Sequence, residues 1–268
     1  MTRLPVAQID AFADRPFTGN PAAVMPLSDW LDDAVLQAIA EENNLAETAF
    51  FIPDASGAAD FELRWFTPAV EVALCGHATL ASGHFILTSD PDREAVTFRT
   101  RKAGILRVER AAGGQYHMAL PAYPAAPKPL PAIIAGLGVD PAKVQATLWH
   151  PNHYGLVVLE SAADIHALAP DFRKLAAEGD VLTIATAPGE DTDVISRVFA
   201  PGAGIDEDPV TGSAHSVLTP YWADRLGRAH FTAYQASKRG GHVGCRLDGD
   251  RAILTGSCVT TMEGVLLI

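Results

Sequence analysis

The chain is poor in cysteine, with three (Cys75, Cys245 and Cys258) in 268 residues. These are too few and too scattered for a disulfide framework or a zinc cage. Their odd number suits a reducing compartment. The chain is also poor in positive charge: 20 lysines and arginines stand against 32 aspartates and glutamates, a net charge of −12. No basic stripe gathers the cations, and the nearest, Arg99-Thr100-Arg101-Lys102, reads as the polar edge of a strand. A nucleic-acid backbone is repelled by such a field. No run reaches the roughly 18 apolar residues of a membrane span, and the opening MTRLPVAQIDAF lacks the apolar core of a secretory signal. The histidines form no H-x-E, H-E-x-x-H or C-x-x-C pattern. His77 and His84 lie two helical turns apart, so no metal site is expected. These absences point to a soluble, cytoplasmic protein with neither nucleic acid nor membrane as partner.

What is present is apolar material, 48% of the chain, enough at this length to bury roughly 70–75% of the unfolded surface. Five prolines between Pro121 and Pro131 make a semi-rigid connector. It divides the chain into 1–120 and 121–268, with the final strand free to cross back. In the first half, Ser28 offers a helix N-cap, Leu31, Val35 and Ile39 repeat at i+4, and Asn43-Asn44 ends the helix. Strand patterns precede the glycine elbow Leu74-Cys75-Gly76-His77, which opens a helix of small residues. The second half repeats this outline, with a helical pattern over 162–178 and a second elbow, Asp208-Pro209-Val210-Thr211-Gly212-Ser213-Ala214.

Each elbow aims the free N–H groups of a helix start at whatever sits before it, an arrangement suited to a carboxylate or a developing enolate. Read without partners, the same pattern is ordinary loop-to-helix chemistry. Asp206 and Glu207 read as a solvated acidic loop, whereas Asp208 belongs to the elbow itself. Glu47 opens the apolar segment Thr48-Ala49-Phe50-Phe51-Ile52, where partial desolvation suits a general base. From the residues alone the plainer reading, a helix C-terminal or strand-edge glutamate facing water, is the preferred one. His150 and His153 read as surface or rim residues.

Six segments, in order, then resemble the PhzF-like phenazine-biosynthesis family of the diaminopimelate-epimerase fold. They are Asp10-Ala11-Phe12, Phe17-Thr18-Gly19-Asn20-Pro21, Glu47-Thr48-Ala49-Phe50, Trp65-Phe66-Thr67-Pro68, Cys75-Gly76-His77-Ala78-Thr79 and Asp208 to Ala214. The resemblance implies an α+β protein of two similar domains, each a curved, mostly antiparallel sheet or barrel wrapped around a central helix, and a homodimer. It implies Glu47 as the proton-shuttling acid/base and Asp208 as a second acid group. Asn20, Cys75, Gly76, His77, Gly212 and Ser213 are implied to bind substrate. In the fold's racemases two cysteines face each other; here Cys75 stands where one would be and Asp208 is read as replacing the other. The expected activity is a cofactor-independent isomerisation that moves a proton on carbon of a small carboxylate. Two rivals stand beside it. A cysteine hydrolase at Cys75 would need His77 or His215, and the two-residue spacing gives Cys75 and His77 poor mutual geometry. A non-catalytic small-molecule binder would tolerate loss of Glu47.

Overall fold

The computed structural model describes all 268 residues. It resolves into two compact units, Met1–Leu120 with Thr255–Ile268, and Pro121–Leu254. In chain order the first unit contains β1 (Arg3–Ala11), β2 (Asn20–Pro26), α1 (Asp33–Asn43), β3 (Glu47–Pro53), β4 (Phe61–Phe66), β5 (Glu71–Val72), α2 (Gly76–Ser89), β6 (Ala95–Thr100) and β7 (Ile105–Arg110). Strand β8 (Tyr116–Pro121) runs to its boundary. The second holds β9 (Ala126–Pro127), α3 (Pro131–Leu137), β10 (Val144–His150), β11 (Tyr154–Leu159), α4 (Ala162–His166), α5 (Phe172–Ala176), β12 (Leu182–Pro188), β13 (Val194–Ala200), β14 (Ile205–Asp208), α6 (Gly212–Leu226), β15 (His230–Gln235) and β16 (Gly241–Asp248). After β17 (Arg251–Gly256), β18 (Cys258–Leu267) returns to the first unit, pairing antiparallel with β1 from Arg3↔Leu267 to Ala11↔Cys258.

Within the first unit β1 lies antiparallel to β2, β2 parallel to β3, β3 antiparallel to β4, β4 parallel to β6, and β6 antiparallel to β7. Helix α2 packs against β18, β1, β2, β3, β6 and β7, so the sheet curls around it. Its run from Gly76 to Gly83 is buried throughout, as an all-round apolar helix must be. Small residues permit this closeness: a Cβ on Gly83 would stand 2.5 Å from Val108 on β7. The hydroxyls of Thr79 and Ser82 are absorbed by the carbonyls of Cys75 and Ala78 at 2.6 and 2.7 Å. Helix α1 lies in a satellite core, with Leu36, Ile39 and Ala40 against Met25, Phe50 and Phe66. It starts at Asp33 behind Asp32, not behind Ser28.

The second unit repeats the order: β10 antiparallel to β11, β11 parallel to β12, β12 antiparallel to β13, β13 parallel to β15, β15 antiparallel to β16. The duplication is topological, strand for strand. Helix α6 takes the place of α2, and Trp222 on it donates its indole N–H to Thr186 Oγ1 at 3.0 Å. Pro220 inside α6 supplies no N–H to the carbonyl four residues back, at Ser216. The Tyr123 N–H, from the proline-rich stretch, satisfies that carbonyl at 2.8 Å. The helical pattern over 162–178 is broken into α4 and α5, because Pro170 disfavours helical backbone at Ala169 and lacks the N–H to continue.

Candidate active site

The first elbow is assembled from three elements of one unit. Cys75 is the N-cap of α2 in extended conformation (φ −137, ψ 112), and Gly76 and His77 form its first turn. The N–H groups of that turn have no acceptor within the helix. Glu47 arrives from another direction. Helix α1 ends on Asn44 in the left-handed region (φ 48, ψ 38), which turns the chain so that Glu47 becomes the first residue of β3. The parallel register then sets it opposite Ala22 of β2, two residues beyond Asn20 at the start of that strand.

His77 lies at the centre of this group. Its Nε2 is 3.1 Å from Glu47 Oε2, and the two side chains are 4% and 12% exposed. Its Nδ1 is 3.2 Å from Asn20 Nδ2 and 3.5 Å from Cys75 Sγ. Neither Glu47 Oε2 nor His77 Nε2 has an aligned hydrogen-bond partner, so the two hold each other as an ion pair. Burial alone would push the imidazole towards neutrality, but the neighbouring Cys75 and Glu47 outweigh it and hold its pKa well above 6.5. The Cys75 thiol is pushed up to about 11, chiefly by burial and then by the Glu47 carboxylate. The expected poor geometry between Cys75 and His77 is thus corrected: the first helical turn brings them into contact. The contact does not make a nucleophile, because the thiol keeps its proton. Asn20, Cys75, Gly76, His77 and Glu47 all come together here. One donor atom from each of Glu47, Cys75 and His77 lies within 4.8 Å of the others, a potential ligand set that no sequence spacing discloses.

The second elbow is built differently. The N-cap of α6, in the place Cys75 holds on α2, is Thr211 (φ −108, ψ 101). Asp208 is therefore not the counterpart of Cys75. It ends β14 upstream of the cap, because the turn through Pro209 and Val210 intervenes. Gln235, fully buried at the end of β15, ties this turn together. Its Oε1 accepts from the Thr211 N–H at 2.9 Å, and its Nε2 donates to the Asp208 carbonyl at 2.8 Å and to Thr211 Oγ1 at 3.1 Å. The backbone partners fix the amide's orientation, since an N–H only donates and a carbonyl only accepts. Thr211 Oγ1 therefore directs its own proton to Asp208 Oδ2. Gly212 is buried at the first helical position, and Ser213 bonds the Tyr154 phenol, whose pKa burial raises.

Next to it, Tyr123 stacks on His150, a half-buried residue, with ring centroids 4.7 Å apart. His215 donates Nδ1–H to the Thr211 carbonyl at 2.8 Å and is held down to about 4 by burial. Glu207 is no free loop carboxylate either; it takes Arg197 bidentately at 2.7 and 3.0 Å. Thr211, Gln235 and Tyr154 escaped the sequence reading. The only signal for Gln235 was a polar residue closing an apolar strand.

No helix is long and apolar enough to cross a membrane. The family model for phenazine biosynthesis-like proteins (PhzC-PhzF) matches residues 9–264. An uncharacterized isomerase from Pseudomonas aeruginosa is 45% identical over 264 residues, 98% of each chain. The crystal structure of a PhzF-family phenazine biosynthesis protein from Enterococcus faecalis superposes with a TM-score of 0.90 at 38% identity, covering both chains entirely. A hydroxyproline epimerase from Agrobacterium vitis shares the fold at 11% identity, with a TM-score of 0.61 over 98% of this chain and 92% of that one.

Proposed function

Because the chain belongs to the PhzC-PhzF, phenazine biosynthesis-like family and is an isomerase by that membership, we propose that it moves a proton on carbon by cofactor-independent acid/base catalysis, with Glu47 as the shuttle. The observation that carries this reading is the Glu47–His77 pair: a carboxylate 12% exposed, 3.1 Å from a deeply buried imidazole. His77, in contact with Asn20 at its other ring nitrogen, positions the carboxylate beside the start of α2. A substrate C–H made acidic by an adjacent carboxylate or carbonyl loses its proton to Glu47, which returns it at another carbon or on the other face. The free N–H groups at the start of α2 lie where an anionic intermediate gains most from fixed dipoles. Cys75 forms a wall of the site, and Gly76 lets the substrate approach the backbone.

In the second unit, Asp208 is read as a further acid group, and Gly212 and Ser213 as binders of the substrate's polar groups. The working form is read as a cytoplasmic homodimer, which light scattering on the purified protein checks. A cysteine hydrolase fits less well, since Glu47 and burial both keep the Cys75 thiol protonated. The test is Glu47→Gln in a screen of cyclic and amino carboxylic acids for isomerisation. The variant is expected to lose about 10²–10⁴ in turnover while folding normally. A folded variant keeping more than about a tenth of wild-type turnover removes Glu47 from the role.

A further inference from the structure

We infer that Glu47, Cys75 and His77 also form a capture site for a thiophilic divalent cation of the zinc type, which would hold the acid/base group in an inactive state. The donor set is one sulfur, one imidazole nitrogen and one carboxylate oxygen, each within 4.8 Å of the others. Hard cations such as magnesium and calcium take oxygen ligands; a mixed S, N, O set selects zinc and its neighbours. Zinc bonds of about 2.0–2.3 Å put tetrahedral ligand atoms roughly 3.3–3.7 Å apart. One ion takes one ring nitrogen, so of the two contacts here, 3.5 Å for Sγ to Nδ1 and 3.1 Å for Nε2 to Oε2, one serves as an edge of the site and the third donor lies within 4.8 Å. The two contacts use opposite ring nitrogens, so an ion binds with the imidazole or the Cys75 thiol rotated towards it.

The charges of the bound state balance. The site is buried, and the ion's two positive charges are balanced by one thiolate and one carboxylate, with His77 neutral. Cys75 and the charged His77 release their protons to solvent as the ion binds. The ion replaces the His77–Glu47 pair, the one contact that Nε2 and Oε2 make. Three protein ligands leave a fourth position for water. Binding depends on this geometry alone; its consequence, loss of turnover, rests on the role of Glu47 proposed above.

The test uses the full chain stripped with EDTA and titrated with zinc alone by calorimetry, then with cobalt(II) as a coloured surrogate. One ion per chain is expected, with a sulfur-to-cobalt charge-transfer band in the near ultraviolet and release of protons on binding. Cys75→Ser and His77→Gln should each weaken binding at least about tenfold, whereas His230→Ala, at an exposed position opening β15, should not. If Cys75→Ser fails to fold, thiol alkylation of the native protein read by mass spectrometry assigns the ligand: zinc should protect Cys75 and leave Cys245 and Cys258 unchanged. Absence of stoichiometric zinc binding, a cobalt spectrum without the sulfur band, or an unprotected Cys75 overturns the site. Zinc bound at Cys75 in a protein whose Glu47→Gln variant stays active would sustain the site and defeat the proton-transfer reading.

Discussion

The two units run through the same strand order and place the same device at the same point, a glycine-led helix start, yet they arm it differently. In the first, Cys75-Gly76-His77 faces a carboxylate: β3 begins with Glu47, set in register opposite Ala22. In the second, Thr211-Gly212-Ser213 occupies the matching turn, but the corresponding strand, β12, begins with Leu182, set opposite Tyr154. The partner of His77 is thus a carboxylate at 3.1 Å, and the partner of Ser213 is a phenol. Duplication supplied two sets of free helix N–H groups. Divergence of a few side chains gave one set a carboxylate–imidazole pair and the other hydroxyl groups, with Asp208 bonded to Thr211 and its carbonyl to Gln235. On this account the proton shuttle belongs to the first elbow, and the second serves recognition beside the further acid group proposed at Asp208.

Removing His77 should have the largest effect of those that separate the elbows. His77→Gln takes one partner from a mostly buried ion pair, a change worth about 2–4 kcal/mol after allowing for the partial exposure of Glu47, and should lower kcat more than it raises KM. Ser213→Ala should do the reverse. Equal effects on kcat from both would erase the distinction. Gln235→Leu strands the Thr211 N–H in a buried turn and should cost about 1–3 kcal/mol of stability by denaturant unfolding. A neutral result would mean that the turn is not held as described.

Gly83→Ala sharpens the packing side of the comparison, because its Cβ would press on Val108 at 2.5 Å. The expected loss is about 1–3 kcal/mol, read as a lower Tm. Cys75→Ala should be mildest, with turnover falling by less than about tenfold, far short of a general base. Complete inactivation with a trapped adduct on Cys75 would restore the hydrolase.

Stability should also respond to pH through His77. Its folded pKa is raised, so its contribution is fully present below the unfolded value of about 6.5 and fades as pH rises through the raised folded value. The gap in Tm between wild type and His77→Gln should therefore be widest at acid pH and close as the solution becomes alkaline. A gap that widens with pH would mean that His77 is neutral.

The elbows were legible because they are local: a glycine, a small-residue helix and a preceding turn are all written within a few positions. Glu47 was legible as a carboxylate entering an apolar strand. Its contact with His77 was not, since it depends on the parallel pairing of β2 with β3 across α1. Gln235 and Tyr154 were missed for the same reason; their bonds to the second elbow cross 24 residues or more of sequence. The error over Asp208 came from reading the second elbow without knowing where α6 begins, a matter of three positions that the cap conformation of Thr211 decides. The break between α4 and α5 was signalled by Pro170 and overridden by the apolar pattern around it.

The central claim, that Glu47 moves a proton on carbon, is tested most directly by following the hydrogen. A substrate found in the screen, deuterated at the carbon that loses its proton, is turned over in ordinary water, and the label's fate is read by mass spectrometry and NMR for wild type and Glu47→Gln. The account predicts that wild type either carries the deuterium to the newly protonated carbon or washes it into solvent, and that Glu47→Gln does neither at a measurable rate. A reaction that proceeds with the label untouched, or a label lost equally fast in both proteins, would contradict it.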